Sequence, residues 1–196
     1  MQELYFYAKL GIYHVLDLKA YDHVLFFIAL LIPYTFKDFK KIAALVTLFT
    51  IGHTLSLILS VYDLVYLDSV LIEFFIPASI AFTALFYLIQ TIQNKTNNNF
   101  KVTSFITIIF GLIHGLGFSN YFKTILPGNA SQKILPLLQF ALGIEIAQIL
   151  VVLVVLIITT LVIKFTKFTS RDWAIFLAAL ILGAVSNMLI NNPIWE

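Results

Sequence analysis

Apolar residues in this chain recur in long unbroken runs, and polar residues collect between them. The runs fall at about 12–34, 42–61, 70–92, 102–121, 136–163 and 173–191. A helix needs roughly 20 apolar residues to cross a bilayer, where lipid offers the backbone no hydrogen-bond partner. The pattern therefore predicts an all-α, polytopic membrane helix bundle of about six transmembrane helices, a single transmembrane domain over residues 1–196. Five of the runs are clear. The first is not: Tyr21–Tyr34 is too short to cross alone and has to borrow the polar stretch His14–Ala20. Residues 2–13, with Tyr5, Phe6, Tyr7 and Tyr13, read as an amphipathic helix lying on the membrane surface.

Composition agrees. Apolar residues make up 61% of the chain and charged residues 11%, far from the balance of an ordinary soluble domain. The net charge of +2 is too small and too scattered for a nucleic-acid binder. Cysteine is absent, which removes disulfides, thiolate ligands and a thiol nucleophile. Met1 and Met188 are too few for a thioether copper pathway. A metal would have to be held by imidazole, carboxylate, amide, water or backbone oxygen. The opening MQELYFYAK has neither a basic leader region nor a small-residue cleavage site, so the N-terminus is expected to be retained.

Basic residues set the expected orientation. Lys37, Lys40, Lys41, Lys95, Lys101, Lys164, Lys167 and Arg171 are eight of the 12, and all fall in or beside the linkers after spans one, three and five. Lys9, Lys19, Lys123 and Lys133 fall on the other side. The positive-inside rule puts the larger group in the cytoplasm and both termini outside.

An ionisable residue inside a membrane span is costly, and therefore functional by default. All four histidines, His14, His23, His53 and His114, lie in or at the edge of spans, joined by Asp17, Asp22, Glu73 and Glu145. By the span boundaries these groups, and Asn187, lie in the outer half of the membrane. Thr50, His53, Ser56 and Ser60 form one polar stripe at helical spacing. Glu145 shares a face with Gln148, beside Gly143 and Ala147; Gly111, His114 and Gly117 share another; Gly183 aligns with Asn187. Gly111, Gly115, Gly117, Gly143 and Gly183 are candidates for close helix packing. Taken singly, each polar residue also has a bland reading as an interhelical hydrogen bond or a solvated surface group. The inner half offers only hydroxyls, so a hydrophobic inner plug is expected around Ile28–Ile32 and Val152–Ile158.

Three blocks carry a family resemblance. They are YHVLDLKAYDHVLFFIALL (13–31), LVTLFTIGHTLSLILS (45–60) with VLIEFFIPASIAF (70–82), and IIFGLIHGLGFS (108–119). Together they resemble the HupE/UreJ family of hydrogenase- and urease-associated membrane proteins, within the wider nickel/cobalt transporter group. The resemblance covers roughly residues 11–190 and implies a bacterial cytoplasmic (inner) membrane location and transition-metal handling, nickel or cobalt first. The matching positions are His14, Asp22, His23, His53, Glu73 and His114. One departure stands out: Asp17-x4-Asp22-His23 has the spacing of the nickel transporters' His-x4-Asp-His signature, with Asp in place of His.

The residues support the same chemistry. Imidazole and carboxylate without thiol suit Ni²⁺, Co²⁺ or Zn²⁺. Asp22 and Glu145 could neutralise the ion, with His23, His53 and His114 as neutral ligands and His14 or Glu73 completing the set. Proton competition should weaken loading below about pH 6. The six spans divide into two halves of three, which would make an inverted repeat. Two rival readings stand beside transport. One is an intramembrane metal-dependent hydrolase using Glu145 or Glu73 as base, although no His-Glu-x-x-His occurs. The other is a non-transporting subunit of an oligomer or larger membrane complex.

The orientation is directly testable, because the chain has no cysteine of its own. An Asn97→Cys variant is expected to react with a membrane-impermeant maleimide only from the cytoplasmic side. Labelling from outside alone would invert the topology.

Overall fold

The structure, a computed structural model, describes residues 2–17, 20–94, 99–126, 128 and 130–195, and the side chains of all of these except 2–4, 130 and 131. Lys19, Lys95 and position 97 lie outside the described residues. Seven α-helices and two short 3-10 turns occur, with no strand among the described residues. The helices are α1 (Gln2–Leu16), α2 (Asp22–Leu31), α3 (Phe39–Val61), α4 (Ser69–Ile92), α5 (Phe100–Ile125), α6 (Ala130–Phe165) and α7 (Ser170–Ile190). Five of them, α3 to α7, are long and apolar enough to cross a membrane.

The first expected span, 12–34, is two helices rather than one. The chain leaves helical geometry after Leu16 and resumes at Asp22. The interruption begins at Asp17, which ends the apolar run of α1. Nor do residues 2–13 lie on the surface. They form most of α1, which packs lengthwise against α6. Tyr7 Oη donates to the Ile125 carbonyl at 3.2 Å, so α1 starts at the end of the bundle where α5 finishes. Tyr34, just past α2, lies with Thr91, Asn94 and Ser170 around a cavity at the opposite end. α1 and α2 thus traverse the bundle together as a broken helix, a form transporters use where backbone ends line a site.

Glycines explain how the helices approach. A Cβ at Gly111 on α5 would collide with the Phe49 carbonyl oxygen of α3, and one at Gly52 on α3 with the Ile108 carbonyl of α5. The same arrangement occurs between α1 and α6. A Cβ at Gly11 would collide with the Phe140 carbonyl, and one at Gly143 with the Ala8 carbonyl. The two crossings match in sequence. Gly11-Ile12-Tyr13-His14 recurs 100 residues later as Gly111-Leu112-Ile113-His114. Phe49-x-x-Gly52 recurs 91 residues later as Phe140-x-x-Gly143. Because α1 and α5 run in opposite directions through the bundle, the two units are inverted relative to each other. The antiparallel pairs α3 with α6 and α4 with α7 then join one half to the other.

The remaining glycines differ. Gly115 faces His53 and Ser56, so a side chain there would displace a histidine as well as jam a helix. Gly117 faces Ile76 and Ile72 of α4 from an exposed position. Gly183 has nothing within 4 Å and closes no helix crossing among the described residues, contrary to its expected packing role.

A contrast between two glycines tests this reading. Gly111→Ala is expected to destabilise by about 1–3 kcal/mol, the usual cost of overpacking. Gly183→Ala is expected to be neutral or to stabilise by up to about 1 kcal/mol through helix propensity. Thermal unfolding in detergent, followed by helical circular dichroism, measures both.

Candidate metal centre

Four histidines converge inside the bundle. His14 comes from the last turn of α1, His23 from the first turn of α2, His53 from α3 and His114 from α5. One ligand nitrogen from each of His14, His23 and His53 can be chosen so that all three lie within 4.8 Å of one another. Ring centroids are 4.6 Å apart for His14 and His23, and 5.8 Å for His53 to each of these two. His114 joins through His23, at 5.2 Å between centroids. His23, His53 and His114 are buried, and His14 is partly so.

Hydrogen bonds orient two of the rings. Asp22 Oδ1 lies 3.2 Å from His23 Nδ1 and also accepts the His23 backbone N–H at 2.9 Å. A proton on Nδ1 makes that bond and leaves Nε2 as the open nitrogen. His114 Nδ1 lies 2.8 Å from the Phe110 carbonyl, a geometry that again requires N–H at Nδ1 and frees Nε2. Such outer bonds fix the tautomer of a metal-binding histidine. The inward nitrogens, Nε2 of His14, His23 and His114 and both nitrogens of His53, have no protein partner. A buried polar atom without a partner costs about 1–3 kcal/mol, so several in one place point to a ligand.

The surroundings are dry. Phe118 lies on the His14 ring at 4.0 Å between centroids and stacks on Phe140 at 5.1 Å. The inverted repeat shows again here: Phe140 flanks His14 at 5.6 Å as Phe49 flanks His114 at 5.3 Å. Asp22 is the one carboxylate among the groups that act electrostatically on His14, His53 and His114. Its negative charge beside an electroneutral imidazole cluster favours a cation. α1 also ends in the turn that carries His14, which sets the negative end of its dipole beside the cluster.

Other candidate residues lie elsewhere. Glu145 accepts a hydrogen bond from Thr47 Oγ1 at 2.6 Å on the open groove between α3 and α6, outside the cluster. Gln148 accepts from Thr50 Oγ1 at 2.9 Å, which ties α3 to α6. Glu73 and Asp17 are exposed. Asn187 is exposed and bonds to Asn191 at 2.8 Å, one turn along its own helix. Ser56 donates to the His53 carbonyl at 3.0 Å and so stiffens the turn that carries that ring. The sequence reading missed the aromatic walls, Phe26, Phe49, Phe118 and Phe140. The recurrence of Gly-x-x-His and Phe-x-x-Gly was the signal that could have shown two of them.

Residues of both stretches expected to form the inner plug are buried, among them Leu30, Leu31, Val152 and Leu156. Aromatic rings add to it: Phe26 packs on Phe49 at 5.0 Å and on Phe110 at 5.7 Å, next to the histidines. Below it a small, mostly apolar cavity is lined by Leu30, Phe82, Phe86 and Ile106 with Thr83, Tyr87, Thr103 and Thr107, and below that a larger one by Tyr34, Tyr87, Gln90, Thr91, Asn94, Thr159 and Arg171.

The HupE/UreJ protein family model matches residues 1–192. The chain belongs to the HupE/UreJ family. No curated protein and no solved structure matches it. This HupE/UreJ protein is an integral membrane protein, and its fold brings His14, His23 and His53 within ligand range of one another.

Removing a clustered imidazole should empty the centre, whereas removing a remote carboxylate should not. His53→Ala and His23→Ala are each expected to lose the metal retained by the purified protein. Glu73→Gln is expected to keep it. Metal-to-protein ratios by plasma mass spectrometry compare the three.

Proposed function

We propose that this HupE/UreJ protein carries a divalent transition metal ion across the membrane, nickel or cobalt first and zinc third, with His14, His23, His53 and His114 as its transient ligands. The observation that carries this reading is the convergence of buried imidazoles whose inward nitrogens lack partners. Neutral imidazoles bind such ions at neutral pH without thiolate. Asp22 supports His23 and supplies the compensating negative charge. Protons compete for the same nitrogens, so loading falls as the pH drops through the imidazole range.

The metal is cargo in this reading. It enters from the end where α1 begins, rests among the histidines, and leaves past Phe26, Phe49 and Phe110 through a mostly apolar cavity toward a larger one that offers hydroxyls and amides from Tyr34, Thr35, Tyr87, Gln90, Thr91, Asn94 and Thr159. Neutral oxygen donors bind these ions more weakly than imidazole does, which favours release over capture. The basic linkers put this exit on the cytoplasmic side and both termini outside. The whole chain acts as one transmembrane domain.

Proteoliposomes containing an internal metal-sensitive dye test the proposal. Wild type is expected to admit Ni²⁺ or Co²⁺, and His53→Ala is expected to abolish that flux. A wild-type protein that binds metal stoichiometrically but passes none would end the transport reading. Phe110→Ala should keep the bound metal and alter the flux, since Phe110 offers the centre only its backbone carbonyl.

A further inference from the structure

Glu145 sits near the middle of α6, away from the histidines. Its carboxylate opens onto a groove between α3 and α6 walled by Ile51, Leu55, Ile58, Leu138 and Ala141. Ile51 is 53% exposed, Leu55 47% and Leu138 50%, so this face of two membrane-spanning helices meets lipid. The polar groups lining it are Thr47, Thr50 and Thr54, all hydroxyls. No other titratable or charged side chain lines the groove, and Glu145 makes no ion pair among the described residues. Thr47 donates to Oε1 at 2.6 Å. Thr50 is occupied with Val46 and Gln148, and the Thr54 hydroxyl has no partner.

One negative charge at this depth calls for one positive charge. The donor set holds no imidazole, so it does not suit a transition metal. A divalent ion would leave the groove with a net positive charge. A sodium ion would want more oxygens than one carboxylate and three threonine hydroxyls supply, two of them already engaged as donors. A proton needs only the second carboxylate oxygen, and Thr47 already satisfies the first. We infer that Glu145 is a proton-binding site, open to the lipid side of the bundle and separate from the histidine centre. The site stands whether or not the metal crosses; its use in coupling proton movement to metal movement rests on the transport reading.

The chemistry of dicyclohexylcarbodiimide tests it directly. This apolar reagent partitions into detergent and lipid and reacts with carboxylic acids there. The acid O–H adds across one C=N bond: the proton goes to nitrogen and the carboxyl oxygen to the central carbon. The product rearranges to a stable N-acylurea carrying the mass of one whole carbodiimide. Peptide mass spectrometry of the wild-type protein is expected to find this adduct at Glu145 and not at Glu73, which is exposed near an end of its helix. Labelling should be absent in Glu145→Gln. No adduct at Glu145, or equal labelling at Glu73, would overturn the proposal. Protection by sodium ions at constant pH would replace the proton with sodium. Protection by Ni²⁺ would merge this site with the histidine centre. Labelling in detergent requires no transport, so its outcome is independent of the flux experiment.

Discussion

The contact on which the rest of the structure depends is a glycine pressed against a neighbouring carbonyl, made twice. Gly111 against Phe49 and Gly11 against Phe140 bring the backbones of α5 and α3, and of α1 and α6, closer than any side chain would permit. In lipid there is no hydrophobic force to draw helices together, so dispersion and backbone contact must do it. Three residues on from each glycine stands a histidine. Close approach therefore aims His14 and His114 inward from opposite halves of the bundle, with Phe140 and Phe49 as matching walls.

The repeat is incomplete, and the difference concerns the site. α5 runs unbroken from Phe100 to Ile125, whereas its counterpart stops after Leu16 and restarts as α2. The restart brings in Asp22 and His23, which have no equivalent in the second half. His53 corresponds to Ile144, again with no second ligand. The first half thus contributes His14, His23 and His53 to the cluster and the second half contributes His114. The extra ligands come with the extra chain end, where backbone groups freed by the break need partners and a cation finds the negative end of a helix dipole.

Burial of these imidazoles costs stability unless something fills them. Asp22 and the Phe110 carbonyl take one nitrogen each from His23 and His114, but the inward nitrogens are left to a ligand. Glu145 is a different case in the same membrane. It has a hydroxyl partner and an apolar groove, and the charge it lacks can come from the smallest cation available. The polar residues of this chain therefore divide into a nitrogen-rich centre inside the bundle and an oxygen-rich one on its flank.

Much of this was legible in the sequence, because lipid is a strict solvent. Apolar runs near the bilayer length can only be helices, which fixed α3 to α7 within a few residues, and histidines inside such runs marked the cluster. The partition among the carboxylates was not legible. Asp22, Glu73 and Glu145 look alike as charges in or near spans, yet one meets a histidine, one is exposed, and one meets a threonine on the outer face. Helical periodicity says which residues share a face but not which neighbour that face will meet. The break after Leu16 was equally hidden, since a run of charge between apolar segments reads as a weak span or as a surface helix until α1 is seen against α6. The sequence by itself determined a membrane helix bundle with imidazoles inside it. Only the tertiary structure decided which of its polar groups meet, because that depends on the rotation of each helix about its own axis, which the glycine contacts set.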